Sequence, residues 1–198
     1  VQEYRFGLEE IAWLLLFGQL PTAHQLDVFD RALSKQRELP DHFVDDIIIK
    51  APTRDIMNAL QRSVLALYSY DENADDISME NVIRQSISVI AKLPTIMVAA
   101  YQVKRRTYDR KSMYFHHSKE SLSIAENILR TLRWDKQFTD DEAKLLDLML
   151  VLHADHGGGN NSTFAARVLT STATDTYSSI SAGIGSLKGP RHGGANAK

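Results

Sequence analysis

The sequence predicts an all-α protein, a multi-helical bundle in one domain. Apolar residues recur three to four positions apart through most of the chain, and runs that alternate apolar and polar residues over strand lengths are almost absent. The 198 residues are 43% hydrophobic and 24% charged, a composition that supports a packed core. We see no internal repeat, linker or second domain, so we expect residues 1–198 to form a single helical domain.

Three helices are predicted in the first part of the chain. Residues 8–18 place apolar side chains on one stripe, and Gly18 followed by Pro21 indicates the end of that helix. The same periodicity predicts helices over residues 23–38 and 54–70. These segments supply the apolar faces that a bundle needs.

The middle of the chain predicts a long apolar helix, a loop and a shorter helix. Residues 80–102 form the long helix, which we expect to be buried and to kink at Pro94, since proline lacks an amide hydrogen and clashes with the preceding turn. Residues 104–119 are polar and basic, and they are interpreted as a surface loop. The next helix is predicted over about residues 122–134.

Two more helical segments follow. Thr139 and Glu142 have the spacing of a capping box, which predicts a helix start at Thr139. Beyond a Gly-Gly-Gly turn, residues 160–187 are predicted as one long helical stretch rich in small residues. The helix that begins at Thr139 carries four apolar residues on one face, namely Leu145, Leu148, Met149 and Leu152.

Composition excludes several classes of function. Lys and Arg number 23 against 25 Asp and Glu, so no general basic field favours nucleic acid or an anionic membrane. No stretch suggests a membrane span or a secretory leader. The absence of cysteine excludes disulfides, thiolate nucleophiles and Cys-based zinc sites, and it favours the cytoplasm.

Two segments place a histidine beside glycines at the end of a predicted helix. Residues 153–162 read His-Ala-Asp-His-Gly-Gly-Gly-Asn-Asn-Ser, and residues 189–196 read Gly-Pro-Arg-His-Gly-Gly-Ala-Asn. Glycine lets the backbone approach a ligand closely, and histidine can bind an anion or move a proton near neutral pH. Either segment alone could equally be a glycine helix cap with a solvated histidine, but the pair favours a functional site.

These segments resemble those of citrate synthases of the bacterial, type II-like kind. The 36-residue separation between His156 and His192 is similar to the family's, and the rest of the chain carries weaker matches. The weaker matches are Leu-Leu-Leu-Phe-Gly-Gln-Leu-Pro at 14–21, Leu-Pro-Thr-Ile at 93–96, Ala-Glu-Asn-Ile-Leu at 125–129 and Ser-Thr-Phe at 162–164.

The resemblance implies an all-α, mostly homodimeric enzyme of the tricarboxylic acid cycle that condenses acetyl-CoA with oxaloacetate to citrate and CoA. It implies that His192 is catalytic and hydrogen-bonds the thioester oxygen while the acetyl group enolises. It further implies that His156 binds oxaloacetate and that Asn160 and Ser162 line or support that pocket. No metal and no cofactor are expected, because acetyl-CoA is a substrate.

The resemblance also implies that part of the site is missing. In the family, the base is an aspartate far downstream, and a second oxaloacetate-binding histidine lies in a Gly-x-Gly-His segment, and neither occurs before Lys198. We therefore expect a large-domain fragment, incomplete at both ends and without the small domain that closes over substrate. The parent is expected to be an acyltransferase and this chain alone to be inactive.

Three alternatives stay open at this point. A 2-methylcitrate synthase, using propionyl-CoA, would carry the same residues. A non-catalytic helical dimerisation module would use the small-residue helix and the helix around Pro94 as an antiparallel seam. A metal-dependent hydrolase would use His153, Asp155 and His156, although His153 is better explained as a packed or hydrogen-bonded helix residue.

The basic residues of 104–119 also allow two interpretations. A solvated loop explains Lys104, Arg105, Arg106, Arg110 and Lys111 without any ligand. The sharper hypothesis is that some of them contact the phosphates of CoA.

Overall fold

The computed structural model describes residues 6–155 and 157–194. Within these ranges it contains eight α-helices and no strand, which confirms the predicted all-α class. The helices are Leu8–Phe17 (α1), Ala23–Lys35 (α2), Ile56–Ala66 (α3), Met79–Tyr108 (α4), Ile124–Leu132 (α5), Asp140–Leu152 (α6), Asn161–Thr170 (α7) and Thr176–Lys188 (α8). A π-helical turn at Val44–Ile49, which the periodicity did not predict, and a 3₁₀ turn at Leu67–Tyr70 complete the regular structure.

The helix ends follow the capping signals of the sequence. Gly18 ends α1 in the left-handed conformation, with φ at 75°, and its amide donates to Leu14 O at 2.8 Å. Thr139 and Glu142 form the predicted capping box at the start of α6, with the Glu142 carboxylate accepting from the Thr139 amide at 2.8 Å. Local chemistry therefore sets where these helices begin and end.

α4 is the central helix of the fold, since it contacts α2, α3, α5 and α8. It continues through Pro94 as one element of 30 residues. By length and hydropathy it is long and apolar enough to cross a membrane, contrary to the sequence expectation, and it is the one such helix in the described part of the chain. Because it packs on four other helices and buries the amides of Gln85 and Gln102, we assign it to the core of a globular fold.

The prediction of a loop over residues 104–119 was partly wrong. α4 extends to Tyr108, so Lys104, Arg105 and Arg106 are helical, and the two arginines lie in its last turn. Positively charged residues are favourable at a helix C-terminus, where the backbone carbonyls point outward. Only the residues after Tyr108 are irregular, as far as the start of α5.

The single long helix predicted over residues 160–187 is in fact two helices. α7 ends at Thr170, Ala173 has a φ of 60°, and Asp175 then caps α8 by accepting from the Ser178 amide at 2.8 Å. An aspartate that accepts from the amide three residues later is an ordinary helix start signal. The break lets α7 fold back along α8, and these two helices share the most extensive contact in the structure.

The buried side chains form two clusters on either side of α4. The first joins the π-helical turn, α3, α4 and α8, and its central residues include Phe43, Val64 and Ile96, all 0% exposed. The second joins α1, α2, α4, α5 and α6 around Phe29 and Leu33. Large apolar side chains therefore pack on both faces of the central helix.

The apolar face predicted on α6 lies on the surface. Four of its residues are 46–68% exposed, namely Leu145, Leu148, Met149 and Leu152. The face of α6 that packs inward carries Ala143 and Asp147, which are 0% and 1% exposed, and the partly buried Leu146 and Leu150, which pack against the second cluster. Asp147 is buried because it accepts the amides of Gly7 and Leu8 at the start of α1, at 2.8 and 3.2 Å.

Candidate active site

The turn that carries His192 folds back onto the C-terminal end of α8. The amides of His192 and Gly194 both donate to Gly189 O, at 3.0 and 3.1 Å. A Cβ atom at Gly193 would lie 2.6 Å from Leu187 O, and one at Gly194 would lie 2.7 Å from Lys188 O. Glycines follow the histidine because the last carbonyls of α8 occupy the space that a side chain would need.

His192 contacts the first turn of α7. Its Nε2 atom lies 2.8 Å from Ser162 Oγ, and the bond is partly buried. α7 packs on α8 at this point, where a Cβ at Gly183 would be in ordinary van der Waals contact with Ser162 O, at 3.5 Å. The structure thus brings together two of the four predicted site residues.

Asn160 has a clear local role. It is the N-cap of α7, its Oδ1 accepts from the Thr163 amide at 2.9 Å, and its Nδ2 donates to Gly157 O at 2.9 Å. These bonds fix the glycine turn relative to the helix on which Ser162 lies. His156, the predicted oxaloacetate ligand, falls outside the described residues.

His153 is a hydrogen-bonded residue at the end of α6, as the sequence predicted. Its Nδ1 lies 2.7 Å from Met149 O, and the neighbouring Asp155 accepts from the Gly157 amide at 2.7 Å. Within residues 6–155 and 157–194, no three histidine or carboxylate side chains lie close enough together to hold a metal ion. Both side chains therefore stabilise the backbone where α6 ends.

The sequence named His192 and Ser162 but did not predict their hydrogen bond. Ser162 had been assigned to the oxaloacetate pocket, whereas in the structure it contacts the histidine assigned to the thioester. The two residues are 30 positions apart, and the prediction of one unbroken helix over residues 160–187 left no place for α7 to return alongside α8. The helix break near Ala173 and the cap at Asp175 were the signals that could have indicated this return.

The protein is thus all-helical in its described part, and a hydrogen-bonded serine and histidine lie where two of its helices meet. Comparison with known proteins identifies its family. The family profile described as "Citrate synthase, C-terminal domain" matches residues 1–198. The chain therefore belongs to the citrate synthase family, as the sequence motifs indicated.

Relatives of known sequence and solved structures agree with this family assignment. The chain is 39% identical to a citrate synthase of Haloferax volcanii over 193 residues, which is 96% of this chain and 49% of that protein. It is 33% identical to 2-methylcitrate synthase 1 of Corynebacterium glutamicum, again over 96% of this chain and 49% of that protein. The citrate synthase of Thermoplasma acidophilum, solved as a ternary complex with carboxymethyl coenzyme A and oxaloacetate, superposes with a TM-score of 0.83 and 29% identity, covering 95% of this chain and 47% of that one.

The chain spans about half the length of the curated relatives that it matches. The fold and the family are therefore established for this half.

Proposed function

We propose that this chain is the helical large-domain portion of a citrate synthase, whose full-length form condenses acetyl-CoA with oxaloacetate to citrate and CoA. The observation that carries the proposal is the hydrogen bond of 2.8 Å between His192 Nε2 and Ser162 Oγ, in a chain of this family. We take the portion to be one helical domain, with the companion small domain in the half of the relatives that this chain does not match.

The hydrogen bond between Ser162 and His192 explains how one nitrogen of the His192 ring becomes a hydrogen-bond donor. If Ser162 donates its hydroxyl hydrogen to Nε2, the neutral imidazole carries its proton on Nδ1. Removal of a methyl proton from an acetyl thioester builds negative charge on the carbonyl oxygen, and a donor held at that oxygen stabilises it. We assign Nδ1 of His192 to that donation, so Ser162 is a positioning residue and His192 is catalytic.

The remaining assignments concern oxaloacetate. We propose that His156 binds this substrate and that Asn160 holds the glycine turn beside it. The capping bonds of Asn160 support a role in shaping the pocket, since both of its side-chain polar atoms are engaged. The base that removes the methyl proton is proposed to lie in the other half of the full-length protein. This chain alone is therefore expected to be inactive.

A 2-methylcitrate synthase is the second candidate, and the similarity to the Corynebacterium glutamicum enzyme favours it to nearly the same degree. The two reactions differ by one methyl group on the acyl-CoA. His192 is assigned to the thioester oxygen, which both acyl-CoA substrates share, so His192 and Ser162 do not separate the candidates.

We propose that the full-length protein is a cytoplasmic homodimer that acts in the tricarboxylic acid cycle. Support for self-association comes from α7, on which Phe164 and Val168 are 67% and 45% exposed. In the other half of the seam expected from the sequence, the helix around Pro94, Ile96 and Val98 are 0% and 5% exposed within this chain. Light scattering of the full-length protein should give the mass of a dimer. The double variant Phe164→Asp with Val168→Asp should give the mass of a monomer. A wild-type monomer at micromolar concentration would contradict the seam.

The test of activity is thiol release from acetyl-CoA, with and without oxaloacetate. The proposal expects release by the full-length protein only when oxaloacetate is present, and none by the 198-residue chain. A higher rate with propionyl-CoA would assign the protein to the 2-methylcitrate synthases. Silence of a folded full-length protein with every short acyl-CoA would refute both enzymatic candidates and favour the helical dimerisation module.

A further inference from the structure

A cavity lies between residues 37–45, the middle of α4 and the irregular residues 115–118. Its volume is about 380 Å³, and pockets that bind small molecules start at about 300 Å³. Its lining includes three buried apolar residues, since Phe43, Val98 and Ala99 are 0%, 5% and 2% exposed. We call this space the α4 cavity. It is separate from the candidate active site, because none of residues 157–194 lines it.

Two residues of this lining carry a buried nitrogen atom that has no hydrogen-bond partner in the described part of the chain. They are Arg37, through Nε, and His116, through Nε2. A buried polar atom without a partner costs free energy, and such atoms are rare in folded proteins. Arg37 is only 5% exposed, so bulk solvent does not supply the partner. A ligand group that enters the cavity would satisfy both nitrogen atoms.

Both side chains are held in place by other contacts. Arg37 Nη1 donates to Lys119 O at 2.9 Å and to Leu122 O at 2.7 Å. The His116 ring stacks on the ring of Tyr114, with 5.4 Å between the ring centroids. Because these contacts fix the guanidinium and the imidazole before any ligand arrives, binding does not have to order them. The two nitrogen atoms are therefore preorganised.

Arg37 also borders a second cavity. That cavity is lined by Glu9 and Asp30 and does not include His116. Carboxylates on that side repel a further anion. The α4 cavity, in contrast, combines both unpartnered nitrogen atoms with an apolar wall. An anionic ligand is therefore favoured on the side of Arg37 that faces the α4 cavity.

The two nitrogen atoms match a carboxylate. The Nε atom of arginine always donates, and the Nε2 atom of histidine donates when it carries the proton. Arg37 supplies one positive charge, and a carboxylate has one negative charge and two oxygen atoms that accept hydrogen bonds. The apolar lining suits a short hydrocarbon body beside that carboxylate. Together, these features select a small apolar acid.

The rim of the cavity carries negative charge. It includes three carboxylates, on Glu38, Asp41 and Asp45, and all three residues are exposed. These carboxylates disfavour a ligand with several negative charges, and they attract an ammonium group placed at the mouth. Two sources of the same carboxylate chemistry follow: a simple apolar acid, and an α-amino acid with an apolar side chain.

We infer that the α4 cavity binds a small apolar carboxylic acid, whose carboxylate accepts from Arg37 Nε and His116 Nε2 and whose hydrocarbon part lies on Val98 and Ala99. The inference goes beyond the proposed function and does not depend on it, since none of residues 157–194 is involved. Leucine and 4-methylpentanoate represent the two sources, because they differ only in the ammonium group.

The first test compares two variants of the full-length protein that carry the same substitution. His116→Phe removes Nε2 but keeps a planar ring on Tyr114, while His24→Phe makes the same change at an exposed histidine of α2. Ligand-observed NMR titration should show about tenfold weaker binding of both acids to His116→Phe and unchanged binding to His24→Phe. Arg37 is left intact, because its Nη1 atom holds the segment before α5.

The second test removes one ligand group at a time. 3-Methylbutylamine is leucine without its carboxylate, so it should bind about tenfold more weakly than either acid. Tighter binding of leucine than of 4-methylpentanoate assigns the cavity to amino acids, and Asp41→Asn with Asp45→Asn should then remove the difference. Equal or tighter binding of 4-methylpentanoate assigns the cavity to simple acids.

Three results would overturn the inference. The first is binding of 3-methylbutylamine as tight as that of the acids, and the second is agreement within about twofold between the affinities of the two phenylalanine variants. The third is no detectable binding of either acid at millimolar concentration, which would leave water as the partner of both nitrogen atoms. His116→Met removes the same nitrogen with a flexible side chain, so the test stands even if His116→Phe does not fold. Circular dichroism verifies that each variant keeps its helices.

Discussion

The helices α3, α4 and α8 are held together by buried contacts, whereas α6 and α7 present apolar side chains to the surface. In the first group, Val64, Ile96 and Tyr177 are 0%, 0% and 3% exposed. In the second, Leu152 and Phe164 are 68% and 67% exposed, and none of the described residues of α7 is buried. The first region is stabilised within this chain, whereas the second exposes apolar side chains that the described part of this chain leaves uncovered.

A polar network adds to the cohesion of the first group. Asp71, whose side chain is 8% exposed, accepts from the Tyr177 hydroxyl at 2.7 Å. Both of its carboxylate oxygens also accept from Arg84 Nη2, at 2.7 and 2.8 Å. Burial alone would raise the pKa of Asp71, but the hydrogen bonds from Tyr177 and Arg84 outweigh it and lower the pKa to about 2. The ionised carboxylate therefore links α8 to the start of α4.

The largest effect on stability is expected from truncation in the first region. Ile96→Ala should lower the free energy of unfolding by about 3 kcal/mol, because it leaves a cavity at a fully buried position. Leu148→Ala on α6 should cost less than about 0.5 kcal/mol, since that side chain is 46% exposed. Denaturant titration of both variants measures the difference. Equal losses in the free energy of unfolding would contradict the proposed contrast between the two regions.

A smaller effect is expected from the polar network. Asp71→Asn should lower the free energy of unfolding near neutral pH by about 2 kcal/mol, because the pKa falls from 3.8 in the unfolded chain to about 2 in the folded one. This stabilisation is present above pH 3.8 and is lost as the pH falls toward about 2. Wild type and variant should therefore converge in acid, and a gap that does not change with pH would refute the ionised network.

Glu9 at the start of α1 should show the opposite dependence on pH, with a smaller amplitude. Burial raises its pKa, and the Ile124 amide, which donates to Glu9 Oε1 at 2.7 Å, offsets this only in part. A raised pKa gives stability that is present below the unfolded value and is lost as the pH rises through the folded value. The stability of wild type relative to Glu9→Gln should therefore be greater in acid than at neutral pH. Thermal melts of both proteins across that pH range measure the difference. A constant difference between the two would contradict the assignment.

The sequence predicted most helices because capping residues and apolar spacing are local signals. Gly18, Thr139 and Glu142 act as expected. It could not predict that α4 continues to Tyr108, because basic residues fit a helix end and a loop equally well. The π-helical turn at Val44–Ile49 was missed because its consecutive isoleucines lack helical spacing.

Two features could not be predicted from local sequence signals: the exposure of the apolar stripe of α6 and the hydrogen bond between Ser162 and His192. Leu145 and Leu148 lie on one face as predicted, but periodicity does not report whether that face is covered by this chain. The buried face of α6 includes Asp147, a charged residue that accepts two distant amides at the start of α1. In the same way, Ser162 reaches His192 through a tertiary contact between helices.

The central claim is that His192, positioned by Ser162, acts on the thioester, and the most direct test is the kcat of full-length variants. His192→Gln should lower the kcat for oxaloacetate-dependent CoA release by about 100-fold or more. Ser162→Ala should lower it by a smaller factor, and His24→Gln, which changes an exposed histidine on α2, should leave it unchanged. A His192→Gln enzyme that folds and retains the wild-type kcat would contradict the account.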